Sequence, residues 1–278
     1  MTWRRFRRHR LALTGGLAAL ALTLAAAAAP LLAPYPPDRI DLAGRWTPPS
    51  RAHLLGADEL GRDVLSRLLY AGRVSLAVGY AVAVNVAVIG MVVGAAAGFY
   101  GRTVDTVLMR LVDVLLSVPT LPLYLILAAV LPGGGISRII LIFSVFGWTG
   151  VARLVRGQVL SLRDQDFVIA ARVSGASEWR VIFRHVLPNA LAPVIVAATL
   201  AVGGAILGES ALSYLGLGIA PPTPSWGNML QRAQEYVFTA AWLAIAPGVC
   251  IFVTVLSFNF LGDGLRDALD PRLGAAGR

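Results

Sequence analysis

The stretch RDQDFVIAARVSGASEWRVIFRHVLPNA, residues 163–190, is polar and lies between two long apolar segments of the chain. Its apolar residues recur at helical spacing on both sides of Gly175, which predicts two short amphipathic helices. Glycine can adopt the positive φ that ends a helix, and Ser177 suits the N-cap of the next helix. Pro188 is predicted to end the second helix or to lie in the first turn of another. Helices this short do not cross a bilayer, so we expect a hairpin that is presented to a partner.

Outside this stretch the composition is that of a membrane protein. Hydrophobic residues make up 57% of the chain and charged residues 14%. A transmembrane helix needs roughly 20 apolar residues, and five of six uncharged stretches reach that length. The fourth is shorter and is expected to continue past Arg153 and Arg156, whose long side chains reach the interface. The sequence therefore predicts an all-α, polytopic membrane protein with six transmembrane helices. The uncharged stretches are 11–37, 75–101, 114–137, 139–152, 186–208 and 236–262.

The distribution of arginine predicts the orientation of the chain in the membrane. There are 24 arginine residues and no lysine. If the N-terminus is inside, sixteen arginines lie in inner segments and eight in outer segments. This bias favours a cytoplasmic location for both termini and for the hairpin at 163–188. The net charge of +9 is then a topology signal, and no nucleic-acid partner is expected because no basic face lies outside the membrane-flanking loops.

The chain lacks the residues of common nucleotide-binding and catalytic motifs. A Walker A loop requires a lysine, and no dinucleotide fingerprint, catalytic-serine motif or zinc-protease motif is present. His9, His53 and His185 lie in three separate segments, and the single cysteine, Cys250, lies in the last predicted span. We therefore expect no metal site, no cofactor and no enzymatic activity. Any ATPase that drives this chain must be a separate polypeptide.

The hairpin resembles the coupling signature of binding-protein-dependent ABC importer permeases, which is written EAA, three residues, Gly and a downstream Leu-Pro. In this chain Ile169 replaces the leading glutamate, which removes a charge contact with the ATPase. The resemblance implies the type I ABC importer permease fold. It also implies that the hairpin couples the chain to an ATPase through Ala170, Ala171, Gly175, Ala176, Leu187 and Pro188.

Five further segments resemble one branch of this family, the second permease of dipeptide, oligopeptide and nickel importers. The segments are LLGADELGRDVLSRLLYAGRVSL (54–76), MRLVDVLLSVPT (109–120), GWTGVARLVRGQVLSLR (147–163), ESALSYLGLGIAPPTPSWGNML (209–230) and FNFLGDGLRDALDPRL (258–273). The resemblance implies a subunit that forms the path for peptides across a bacterial or archaeal plasma membrane, with nickel or a nickel chelate as the alternative cargo. The implied partners are a homologous permease in a heterodimer, two ATP-binding cassette ATPases and an extracytoplasmic substrate-binding protein.

Two other classes of membrane protein are less consistent with the sequence. An ATP-independent channel or secondary transporter would need ionisable residues within its spans and internal repeats, and neither is evident. A membrane-embedded enzyme would need converging acids, bases or metal ligands.

Three residues are candidates for the translocation pathway or a gate. Pro119 and Pro122 interrupt the third span; discontinuous helices often line transport paths, although proline kinks without such a role are also common. Glu209 ends the fifth span at its outer side, where it pairs with Arg232 or a partner subunit, or is an ordinary interfacial acid. Asp113 is expected to pair with a neighbour three residues earlier, Arg110.

The sequence also predicts how the chain is divided. The outer segment at 51–74 is predicted to be either a helix that forms a lateral gate or an anchor that orients the next span, and the sequence supports both alternatives equally. The loop at 211–224 is expected to dock the binding protein or to act as a connector. The predicted parts are a basic cytoplasmic tail, the first span and the start of an outer loop at 1–50, an outer interfacial amphipathic segment at 51–74, five helices with the hairpin at 75–263, and a cytoplasmic tail at 264–278.

The predicted orientation can be tested by labelling Ser177→Cys in a Cys250→Ser background. We expect an impermeant thiol reagent to leave this position unlabelled in intact cells and to label it once the cells are opened, because the arginine bias places the hairpin inside. Ser50→Cys, in the outer loop, is the matched control and should be labelled from outside. Labelling of Ser177→Cys in intact cells would overturn this topology.

Overall fold

The computed structural model describes residues 6, 9–133 and 135–269, and this part of the chain is helical with no β-strand. The outermost residues of both predicted tails lie outside it. Short 3₁₀ turns occur at Leu42–Gly44 and Gln234–Tyr236, and a π turn at Ile182–Val186. The α-helices are α1 (Arg10–Ala27), α2 (Ala29–Leu32), α3 (Val64–Tyr100), α4 (Arg102–Ser117), α5 (Thr120–Val130), α6 (Ile136–Leu162), α7 (Asp166–Val173), α8 (Glu178–Val181), α9 (Leu187–Tyr214), α10 (Trp226–Ala233) and α11 (Trp242–Leu269).

Five helical segments of the described chain are long and apolar enough to cross a membrane: α1, α3, α6, the continuous segment Glu178–Tyr214 and α11. Helices α4 and α5 make a sixth span if they are taken together, although they meet at an angle of 86°. The predicted all-α fold is confirmed. The predicted third span, 114–137, covers α5 and only the end of α4, because α4 begins at Arg102 among charged residues that precede the uncharged stretch. The break falls at Pro119, which is the N-cap of α5, whereas Pro122 lies within the first turn of that helix and does not bend it.

Helix α3 differs from the predicted division at residue 74. It runs for 37 residues from its N-cap at Asp63, whose side chain accepts a hydrogen bond of 2.8 Å from the main-chain nitrogen of Ser66. At 1.5 Å per residue the helix is about 55 Å long, well beyond the roughly 30 Å hydrocarbon core. The amphipathic stretch before residue 75 is therefore the projecting end of a transmembrane helix, since the change from amphipathic to wholly apolar sequence does not interrupt its hydrogen bonding.

The most extensive helix contact is between α3 and α6, and three glycines spaced four residues apart allow the close approach. A Cβ atom on Gly90, Gly94 or Gly98 would lie 2.6 Å, 2.7 Å or 2.9 Å from the Cβ atom of a valine of α6. Small residues at this spacing let helix backbones approach closely in a membrane. The valines that fill the space are Val151, Val155 and Val159.

Helices α4 and α6 are joined by ion pairs that the sequence did not indicate. Asp113 pairs with Arg153, and Asp105 accepts hydrogen bonds from both Nε and Nη2 of Arg156. The expected pair between Asp113 and Arg110 is wrong, because the bend after α4 lays this helix against α6 and brings a better-placed arginine. Arg153 and Arg156 consequently bind to carboxylates and do not simply extend towards the interface.

At the end of the bundle opposite the hairpin, which we call the loop end, the segment before α3 is fixed by buried charges. Arg62 donates to Asp58 at 2.7 Å and to Glu59 at 2.9 Å, and Arg67 donates to Asp38 at 3.1 Å. Asp63, besides capping α3, lies 2.9 Å from the ring of His53. This network holds residues 38–63 against the start of α3.

The contact between α3 and α6 predicts opposite effects for two glycine-to-alanine changes. Gly94→Ala should destabilise the protein by about 1–3 kcal/mol, because its Cβ atom has no room beside α6. Gly157→Ala, on α6, should be neutral or stabilising by up to about 1 kcal/mol, because the added Cβ atom would meet nothing within 4 Å beyond the backbone of its own helix. Thermal unfolding of the two purified variants in detergent measures the difference. Equal unfolding midpoints would contradict the close packing.

Candidate functional site

The hairpin turns at Gly175 through a defined helix C-cap. Gly175 has a φ of 80°, and its main-chain nitrogen donates to the carbonyl oxygen of Arg172 at 3.0 Å. The nitrogen of Ala176 donates to the carbonyl oxygen of Ala171 at 3.1 Å. These two bonds are the Schellman motif, which requires a left-handed residue at the position of Gly175. The glycine of the signature thus has a structural explanation. Ser177 has the extended backbone of an N-cap but makes no side-chain cap bond.

The second arm of the hairpin continues into a transmembrane helix. Helix α8, the π turn at Ile182–Val186 and α9 form one helical segment, and Pro188 lies in the first turn of α9. Of the two alternatives for Pro188, the one that places it at the start of a helix is therefore right. π turns within α-helices are often found at functional sites.

The inner face of the hairpin is buried in a hydrophobic core that also includes Phe99 of α3. Val168, Val181 and Val186 are fully buried in this core, and the guanidinium of Arg172 lies 5.1 Å from the ring centroid of Phe99. Among the six coupling candidates, Ala171, Ala176 and Leu187 pack against this core, whereas Ala170, Gly175 and Pro188 are exposed. Three of the candidates therefore support the hairpin from inside, and the other three lie on its surface.

The outer face of the hairpin exposes large apolar side chains. Trp179 and Phe183 are 66% and 61% exposed and stack on each other with ring centroids 5.6 Å apart. Val173 is 83% exposed, and Phe167 and Ile169 are exposed beside it. We call these five residues the hairpin face. Trp179 and Phe183 share their helical spacing with the buried residues Ile182 and Val186, so periodicity alone does not show which part of the apolar stripe meets the core.

A groove with a volume of about 490 Å³ lies between α3, α5, α6 and α9. Its wall includes Thr120, Leu121 and Tyr124 from the first turns of α5, directly after the break at Pro119. The ring of Tyr124 packs edge-on against Phe143 with centroids 4.6 Å apart. Pro119 and Pro122 do not line this groove themselves. The break at Pro119 directs α5 so that its first residues form the wall.

Glu209 is fully buried near the loop end and is paired with hydroxyl groups. Ser213 donates to one carboxylate oxygen at 2.6 Å, and Ser75 donates to the other at 3.2 Å. The expected pairing with Arg232 is wrong: that arginine lies 3.8 Å from Glu59. Glu209 is not an exposed interfacial acid either, and it is not part of the groove wall. The span continues past it to Tyr214, which is why the acid is enclosed.

The serines that hold Glu209 also bind the loop that follows α9. The main-chain nitrogen of Ile219 donates to Ser213 at 3.2 Å, and that of Trp226 donates to Ser75 at 3.2 Å. The buried carboxyl group therefore fixes the loop and the start of α10 against two spans.

The described chain thus has five membrane-spanning helical segments, or six with the bent pair of α4 and α5, a polar hairpin with an apolar surface and a groove between spans, and these features are typical of a membrane transport subunit. Residues 90–275 match the family described as the binding-protein-dependent transport system inner membrane component, and residues 1–49 match the N-terminal transmembrane domain of oligopeptide transport permease C. The chain belongs to this family of inner-membrane permeases.

Curated relatives match nearly the whole chain. It is 42% identical over 272 residues to the dipeptide transport system permease protein DppC of Bacillus subtilis, covering 98% of this chain and 85% of the relative. It is 40% identical over 269 residues to the oligopeptide transport system permease protein OppC of the same organism, covering 97% and 88%. It is 41% identical over 273 residues to the glutathione transport system permease protein GsiD of Pectobacterium atrosepticum, covering 98% and 90%.

A solved structure of the MetNI methionine ABC transporter in an inward-facing conformation has the same fold. The TM-score is 0.57 at 20% sequence identity, and the match covers 73% of this chain and 96% of the MetNI chain. The predicted type I importer permease fold is confirmed.

Proposed function

We propose that the chain is a permease subunit of an ATP-driven importer and forms part of the path for dipeptides or oligopeptides across the plasma membrane. Relatives of at least 40% identity that match nearly its whole length are named for dipeptide, oligopeptide and glutathione transport. The names of these relatives do not favour nickel as cargo. The chain itself carries out no chemical step.

The hairpin face is the observation that carries this proposal. Two stacked aromatic side chains exposed to water represent an apolar area whose burial stabilises a complex by about 1.5–3 kcal/mol per side chain. The sequence has no nucleotide-binding motif, so the energy for transport comes from a subunit that covers this face. An ATP-binding cassette ATPase in the cytoplasm is that partner, with a second ATPase beneath a homologous permease and a binding protein on the outer side. Both termini are then cytoplasmic.

The continuous segment Glu178–Tyr214 explains how movement of the hairpin reaches the groove. Its first residues carry Trp179 and Phe183, and its later residues Ala201, Ala205 and Gly208 line the groove. A displacement of the hairpin therefore tilts or shifts one wall of the groove directly. When ATP draws the ATPase subunits together, the hairpins approach each other and the path opens outward; hydrolysis returns it inward.

Trp179→Ala tests the coupling role. The side chain is mostly exposed, so membrane abundance should remain near normal, while substrate-stimulated ATP hydrolysis by the assembled importer should fall about tenfold or more, as for a buried interface tryptophan. Phe252→Ala is the matched control, because Phe252 is 64% exposed on the transmembrane helix α11. Gly175→Leu should have the same effect as Trp179→Ala, since a side chain at a φ of 80° costs about 1 kcal/mol or more.

Normal stimulation of ATP hydrolysis in both hairpin variants would show that the hairpin is not the coupling element. Loss of the Gly175→Leu protein from the membrane, with Trp179→Ala fully active, would instead restrict the glycine to a structural role.

The cargo can be identified from the binding protein that works with this permease. Purified without denaturation, it should release short peptides that mass spectrometry identifies, and transport of a labelled form of the same peptide should require this chain. Elemental analysis of the same preparation is the control. Stoichiometric nickel with no peptide would refute the peptide assignment while leaving the importer class intact.

A further inference from the structure

Arg138, in the first turn of α6, binds four main-chain carbonyl groups at once. Its Nη1 donates to the carbonyl oxygens of Ala128 and Leu131 at 2.9 Å and 3.2 Å. Its Nη2 donates to those of Leu217 and Gly218, both at 3.0 Å. The two pairs of acceptors lie 86 or more positions apart in sequence and in different elements: the end of α5 and the loop after α9.

Both pairs of carbonyls suit a cation. Ala128 and Leu131 lie at the C-terminal end of α5, where carbonyls lack partners within the helix and the helix dipole is negative. A guanidinium presents its donors in a planar fork, so one side chain reaches two separate pairs of acceptors. The Nε of Arg138 is buried without an acceptor, so these four bonds are what fix the group.

Helix α5 is otherwise held by partly buried side chains, among them Tyr124, Leu125 and Leu127. Of its eleven residues, Ala128 alone is buried. The helix nevertheless supplies Thr120, Leu121 and Tyr124 to the wall of the groove, and the break at Pro119 separates it from α4. A short helix with one buried residue and a break before it is the most easily displaced wall of the groove, and Arg138 is its main polar attachment at the loop end.

The loop after α9 is, by contrast, firmly joined to its surroundings. Asn228 donates from its side chain to the carbonyl oxygens of Ile219 at 3.1 Å and Thr223 at 2.8 Å. Ile219 in turn is bound to Ser213, which donates to the buried Glu209. A force on residues 215–224 therefore acts on a connected unit, and Arg138 is where that unit meets α5.

We propose that Arg138 is a positioning residue that transmits displacement of the 215–224 loop to α5, so that docking of the substrate-binding protein on the outer side opens the groove. The proposal rests on the proposed function, which supplies the binding protein and the outer location of the loop. Arg138 touches no substrate; it acts through the helix that forms the wall.

The test uses the complete importer reconstituted in lipid nanodiscs with its binding protein. Arg138→Gln removes the charge and most of the donors, and Arg138→Lys keeps the charge but has one nitrogen that cannot bridge four carbonyls. Arg73→Gln is the matched control, because Arg73 is an exposed arginine at the same end that lies over the ring of Tyr70. The readouts are basal ATP hydrolysis, its stimulation by loaded binding protein, and the distance between spin labels at Val130 of α5 and Pro222 of the loop.

We expect both Arg138 variants to retain basal ATP hydrolysis, and we expect its stimulation by the binding protein to fall at least about tenfold. A change of that size corresponds to the free energy of one charge-assisted hydrogen bond. The distance distribution between the labels should be narrow in the unsubstituted importer and in Arg73→Gln, and broad in both Arg138 variants. A purely structural arginine would lower basal hydrolysis and stimulation together.

Stimulation within twofold of the unsubstituted importer, or an unchanged distance distribution, would overturn the proposal. Failure of both variants to accumulate in the membrane would also overturn it, because Arg138 would then be required for folding. If the unsubstituted importer itself showed no response to its binding protein, the proposed function would fail. If only the proposal for Arg138 failed, the unsubstituted importer would still respond to its binding protein.

Discussion

The close approach of α3 and α6 is the contact on which the rest of the bundle depends. Because Gly90, Gly94 and Gly98 carry no side chains, the valines of α6 fit against the backbone of α3 along the half of the bundle near the hairpin. Lipid does not drive helices together as water does, so such a contact relies on close packing over its whole length. It places Arg153 and Arg156 beside α4, and it brings the end of α3 under the hairpin, where the ring of Phe99 meets Arg172.

Several polar groups inside this bundle are hydrogen-bonded to one another, which offsets the cost of burying them in an apolar environment. The carboxyl group of Glu209 is bound by two serines, and each of these serines also accepts a main-chain N–H group from the loop or from α10. Asn85 donates to Ser144 across the contact between α3 and α6 at 3.0 Å. The polar residues of the spans thus fix the relative positions of helices and loops.

The bundle combines a long continuous wall and a short one. The segment Glu178–Tyr214 is helical from the hairpin to the loop end, whereas α5 is short and follows a break of 86°. The groove lies between these two kinds of wall. The proposed mechanism assigns one input of force to the hairpin face and the other to the loop after α9, and both inputs act on the walls of the same groove.

Sequence alone determined the helical class, the interruption at Pro119 and the turn at Gly175, because each depends on local length, hydrophobicity or backbone freedom. The glycine spacing that brings α3 to α6 was also present in the sequence, as a small residue at every fourth position from Gly90. Tertiary structure alone decided which partner each charge takes. Asp113 binds Arg153 and not its neighbour Arg110, and Glu209 is enclosed among serines, because these pairings depend on which helices meet. It also decided which apolar residues of the hairpin face outward, since periodicity defines a stripe and only packing against the core determines how much of that stripe is buried.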